Sequence, residues 1–92
     1  MLGFGALGAF RAQQAARDHR VLKALSQPRV EGVTIARLAT YTGLSVVQVR
    51  ESLTRLQATG EKALVRGRVR RKRREVRWHI TDAGRDELDH DQ

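Results

Sequence analysis

The sequence predicts a small, mainly α fold carrying one β-hairpin, an α+β arrangement of three helices, a two-stranded ribbon and a short closing helix. Three observations predict it. Apolar residues recur every three to four positions through the first two thirds of the chain. After Gly60 the period changes to two. Glycine, proline, serine and threonine stand at the joints where helices must stop and start.

Residues 1–10, MLGFGALGAF, hold three glycines, which argue against a helix at the very start. They are expected to form a flexible apolar arm. Leu2, Phe4, Leu7 and Phe10 are costly to leave in water, so the same arm also reads as a surface for a partner subunit. Residues 11–26 contain no Gly or Pro and read as a helix, with Val21, Leu22 and Leu25 as its apolar stripe. Pro28 blocks its continuation. Glu31-Gly32 reads as a turn, and Val33 as a strand of one or two residues. Thr34 caps a short helix over 35–41, with Ile35, Leu38 and Ala39 inward. Gly43 ends that helix, Leu44 points back to the core, and Ser45 caps the next. The next helix spans 46–59, with Val46, Val49, Leu53 and Leu56 as one buried face and Gly60 as its stop. Leu64 and Val65 lead a strand toward Arg70. In the second strand Val76, Trp78 and Ile80 alternate with Arg77 and His79. Thr81 caps a last helix over 82–88, and 89–92 form a frayed tail. Residues 11–88 therefore read as one domain. The order of its elements is that of a winged helix-turn-helix.

Composition narrows the function. Lys and Arg total 18 against 10 acids, a formal net charge of +8. That balance implies an anionic partner. Its distribution is more telling. Lys62, Arg66, Arg68, Arg70, Arg71, Lys72, Arg73, Arg74 and Arg77 are half of the chain's 18 basic residues, with Glu75 the only acid among them. Like charges this dense destabilise a hairpin unless an anion neutralises them, so the wing suits a track of phosphates or a narrow minor groove.

Other chemistries find little support. The absence of cysteine excludes disulfides and thiolate zinc sites. His19, His79 and His90 lack the paired spacing of metal ligands, so no metal is expected. There is no glycine-rich phosphate loop, Ser-His-Asp set or carboxylate pair, so neither an enzyme nor a cofactor is expected. RNA is disfavoured because only four aromatic residues exist, and Trp78 and Tyr41 are expected to pack inward. No run reaches the ~18–20 apolar residues of a membrane span. Residues 1–10 lack the basic start and the length of a secretory signal. The expected setting is cytoplasmic and nucleoid-associated, in a bacterium, phage or plasmid.

The stretch from Thr34 to Leu56, TIARLATYTGLSVVQVRESLTRL, resembles the helix-turn-helix of bacterial winged-helix regulators. Small Ala39 lets the two helices approach, Gly43 takes the sharp turn, and Leu44 plugs the angle between them. Ile80-Thr81-Asp82-Ala83-Gly84-Arg85 resembles the end of the wing in MarR-like and PadR-like families, where a strand runs into a Leu/Ile-Thr-x-x-Gly-Arg segment. Together the two stretches cover about residues 20–88. The 92 residues stop soon after this, without the long C-terminal dimerisation helix of many such regulators.

The resemblance implies double-stranded DNA as partner, with the helix over 46–59 in the major groove. A 100° step per residue turns Val47, Glu51, Thr54 and Ala58 outward, flanked by Gln48, Arg50 and Arg55. Gln48 suits adenine and Arg50 guanine, Val47 a thymine methyl. Glu51 suits cytosine, or orients Arg50 or Arg55. Arg55 is expected on a phosphate. Thr34, Thr42 and Ser45 are candidate phosphate contacts at helix starts. The expected function is a sequence-specific repressor or a phage or plasmid control protein. The alternative is an interaction or architectural module that recruits a replication, segregation or virion-assembly machine. A homodimer or another protein would then bind through residues 1–10.

Overall fold

A computed structural model of the chain describes residues 2–27, 32–57, 63–69 and 75–90. Expectations for Pro28, Glu31, Ala58, Gly60, Lys62, Arg70, Arg71, Lys72, Arg73, Arg74 and residues 91–92 lie outside the described residues. Helix α1 runs Leu2–Leu25, α2 Ile35–Thr42, α3 Val46–Gln57 and α4 Asp82–His90. Strands β1 (Val65–Val69) and β2 (Val76–Ile80) form an antiparallel pair. The architecture is mainly helical with one hairpin, as the sequence predicted.

The sequence placed the start of α1 near residue 11, but the helix begins at Leu2. A glycine costs about 1 kcal/mol in a helix interior. That is a local preference, and extending an existing alanine-rich helix adds one hydrogen bond for each residue fixed. At 24 residues, α1 spans about 36 Å. Its second half joins the core through Val21, Leu22 and Leu25. Gly8 to Gln13, Ala15 and Ala16 are exposed. The helix closes where the Ser26 hydroxyl donates to the Lys23 carbonyl at 2.6 Å and the Ser26 amide donates to the Leu22 carbonyl.

Around that half of α1 the remaining elements assemble. Leu38 of α2, Val49, Leu53 and Leu56 of α3, Val65, Ile80 and the lone bridge residue Val33 complete the buried core. Ile35, Ala39, Leu44, Leu64, Trp78 and Leu88 pack against its rim. Val33 pairs with Trp78, so β2 has β1 on one side and a single residue of the α1–α2 connection on the other.

Two inward assignments are corrected. Val46 is exposed rather than buried, and the fourth buried position of α3 is Ser52. The buried set 49, 52, 53 and 56 is still one helical stripe. A serine can sit in it because its hydroxyl oxygen accepts from the Arg55 guanidinium at 3.2 Å. Tyr41, expected inward, is 54% exposed.

The wing joins the bundle through α4. The Thr81 amide donates to the Leu64 carbonyl, and its hydroxyl donates to the Ala63 carbonyl while accepting the Gly84 amide as the cap of α4. Gly84 is buried where α4 crosses the start of β1. A Cβ there would press on the Leu64 carbonyl oxygen and come within 2.7 Å of Ile80 Cγ1. Thr81 and Gly84 thus give the Thr-x-x-Gly spacing its physical meaning. No helix among the described residues is long and apolar enough to cross a membrane, and no group of three or more His, Asp or Glu among them could hold a metal ion.

Candidate nucleic-acid interface

The turn between α2 and α3 is built from its own residues. Gly43 adopts φ 73°, a left-handed conformation that suits glycine, and its amide closes α2 on the Ala39 carbonyl at 2.9 Å. Thr42 donates its hydroxyl hydrogen to the Leu38 carbonyl at 2.7 Å and accepts the Leu44 amide at 3.3 Å. It is buried at the end of α2, so the expectation of a phosphate contact there is corrected: its hydroxyl is engaged on both sides. Ser45 and Gln48 form a reciprocal cap. The Gln48 amide donates to Ser45 Oγ at 3.1 Å, and the Ser45 amide donates to Gln48 Oε1 at 3.0 Å. The S-x-x-Q spacing is a capping-box signature legible in the sequence, and it was missed.

The outward face of α3 carries Val47, Arg50, Glu51 and Thr54, all exposed. The Thr54 hydroxyl donates to the Arg50 carbonyl at 2.9 Å, which leaves its oxygen free to accept. Gln48 is half-buried at the edge of this face. Thr34 caps α2, accepting the Arg37 amide at 3.4 Å.

Arg55 is corrected. Its Nε and Nη2 grip the Asp18 carboxylate of α1 at 2.8–3.2 Å, and Nη2 also reaches Ser52. Its pKa is raised above the ordinary guanidinium range, chiefly by the hydrogen bonds to Asp18; burial opposes this, and the charges of Asp18 and Glu51 add to the rise. A guanidinium committed to a bidentate carboxylate is a brace between α3 and α1, not an open hand for phosphate. Arg20, also on α1, donates Nη1 to the Thr42 carbonyl at the end of α2 at 3.3 Å. No spacing rule links Asp18 or Arg20 to these partners, because both contacts bridge distant parts of the chain.

The pleat of the hairpin sorts its residues by chemistry. The register pairs Val65 with Ile80, Gly67 with Trp78 and Val69 with Val76 on one face. The other face pairs Arg66 with His79 and Arg68 with Arg77. One face is thus an apolar ladder running out of the core, and the other is cationic. Arg66 and Arg68 are exposed. Arg77 is half-buried and gives Nη1 to the Gly32 carbonyl at 3.1 Å, so it ties the wing to the α1–α2 connection rather than projecting freely. A shallow cleft lined by Arg66, Arg68, His79 and the start of α4 lies along the cationic face. Val65 at the base of β1 packs with α3, which anchors the ribbon beside that helix.

A helix-turn-helix with an adjoining antiparallel ribbon is a winged helix-turn-helix. Among solved structures the chain is similar to a transcriptional regulator of the MarR family from Silicibacter pomeroyi, at 26% identity and a TM-score of 0.70, over 97% of this chain and 63% of that one. It is also similar in fold to a mutant of Lactococcus lactis ZitR in its apo form, at 19% identity and TM-score 0.68 over 98% of this chain and 64% of that one. A mutant of MepR from S. aureus matches at 18% identity and TM-score 0.69, over 95% of this chain and 68% of that one. The chain has the winged-helix fold of MarR-family transcriptional regulators, and the likeness is to a regulator, not an enzyme. It spans about two thirds of the length of these proteins. No protein-family model matches the chain, and no curated protein matches it.

Proposed function

We propose that the chain is a sequence-specific DNA-binding regulator that lays α3 in the major groove and its basic wing on the flanking backbone or minor groove. The observation that carries this reading is the outward face of α3. Val47, Arg50, Glu51 and Thr54 stand exposed on a helix that is capped, braced to α1 and preceded by a tight turn. Such a helix presents fixed side chains to base edges, and Arg50 matches guanine. Arg66 and Arg68 add positive charge on the wing. The tip, Arg70, Arg71, Lys72, Arg73 and Arg74, extends that charge in the sequence. The Ser45 hydroxyl, whose oxygen accepts the Gln48 amide, still has its hydrogen to donate to a phosphate.

Selection of bound duplexes from a random pool at two salt concentrations tests it. An enriched motif supports sequence reading, and an inverted repeat supports a homodimer with two reading helices. Neutralising roughly 6–10 phosphates makes affinity fall about 10³- to 10⁵-fold between 50 and 200 mM salt. Binding without enrichment refutes sequence specificity. A second reading, an interaction module that recruits a larger assembly, is favoured by one observation: Gly8 to Gln13 of α1 are exposed, the aromatic Phe10 among them. Removing residues 1–10 separates the two. Loss of a protein partner with unchanged duplex binding favours the module.

A further inference from the structure

We propose that the first turn of α3 recognises pyrimidine 5-methyl groups in the major groove through the adjacent side chains of Val46 and Val47. The inference rests on the reading of α3 as the DNA-facing helix and names the chemical feature it reads. Val46 is 42% and Val47 57% exposed, and neither belongs to the core. Two neighbouring, largely exposed β-branched residues at a helix start are a poor choice for helix formation. Their χ1 angles are nearly fixed in a helix, so their methyl groups are already ordered before any partner arrives. Residues in succession on a helix point 100° apart, so the pair covers one broad flank of the first turn.

The polar competitor on that turn is engaged. A two-bond pairing of Gln48 with adenine uses its carbonyl oxygen as acceptor and its amide as donor. In this chain the oxygen already accepts the Ser45 amide at 3.0 Å, in the cap that starts α3. The adenine contact would have to share that oxygen with the cap. What remains at the tip of the helix is chiefly apolar, while the polar readers Arg50, Glu51 and Thr54 begin one turn later. The major groove offers one apolar feature, the methyl at pyrimidine C5. Phosphates offer nothing to a valine, and a chain of net charge +8 with arginines on the adjoining wing draws this end of the molecule toward DNA. Thymine and 5-methylcytosine carry the same group in the same place, so the chemistry is shared and the source is for experiment to assign.

The full chain is titrated with the duplex enriched from the random pool and with copies in which each thymine in turn is replaced by deoxyuridine. Separate copies carry 5-methylcytosine at each cytosine. Losing one buried methyl lowers affinity about 4-fold. We expect that loss at one or two thymines, or the matching gain at a 5-methylated cytosine if the methyl source is that base. The same titrations with Val46→Ala and Val47→Ala variants should erase the difference, with thermal midpoints held or slightly raised, since both side chains are exposed and alanine is the better helix former. Tight binding that ignores the methyl at every position overturns this inference and leaves the DNA-binding reading standing. Discrimination that persists unchanged in both valine variants also overturns it. Absence of binding to any duplex overturns both readings together.

Discussion

Replacing Gly84 with alanine tests the junction between wing and bundle. In an open helix the change stabilises by about 1 kcal/mol, because glycine is the poorer helix former. Here the added Cβ would press on the Leu64 carbonyl, lie 2.7 Å from Ile80 Cγ1 and lie 3.1 Å from Leu22 Cδ1. The carbonyl cannot swing aside without breaking its hydrogen bond from the Thr81 amide at 3.1 Å. Overpacking of this kind costs typically ~1–3 kcal/mol, and backbone is less forgiving than a side chain. With the propensity gain set against the upper end of that range, a net loss of about 2 kcal/mol is expected, or about 8–16 °C in Tm for a domain of this size. Thermal and urea unfolding followed by the fluorescence of Trp78, the chain's single tryptophan, reads the change. Gly8→Ala supplies the matched control. Nothing lies within 4 Å of a Cβ at Gly8, so the same chemical change should stabilise the chain. A Gly84→Ala variant as stable as the parent would refute the close crossing of α4 over β1.

Other outcomes follow from the same geometry. Asp18→Asn leaves the Arg55 brace without its charged partner and should lower stability by about 1 kcal/mol, measured as the urea midpoint. Gly43→Ala forces an L side chain into a left-handed conformation and should cost about 1–2 kcal/mol in the same assay. Leu53→Ala empties a fully packed core position and should cost ~2–5 kcal/mol with the urea m-value retained. On the DNA side, Arg66→Ala and Arg68→Ala should each reduce the slope of log affinity against log salt by about 1 while leaving the preferred sequence unchanged, measured by titrating the selected duplex.

Local chemistry carried most of the architecture. Thr34, Gly43, Ser45 and Thr81 act at the helix ends where their residue types predicted, and the change of period after Gly60 marked the hairpin. What escaped the sequence were interactions between distant segments. Arg55 looked like a phosphate ligand because its helix position is lateral, but its partner Asp18 lies 37 residues away. The burial of Ser52 rests on its hydrogen bond with Arg55, which a hydrophobic pattern does not show. Val46 and Tyr41 were placed inward by periodicity and residue type. Periodicity fixes which residues share a face, not how far along the helix the core extends. At Gln48 the capping box was there to be read, and it engages the same oxygen that adenine pairing would use.

The contacts of α1 have a mechanical consequence. Asp18 moors α3 and Arg20 moors α2, and both moorings are fixed to one rod on which Gly8 to Gln13 are exposed. The two helices of the motif therefore share one shaft for their tilt. A twist applied near Gly8 acts on both, roughly 15 Å from where it was applied.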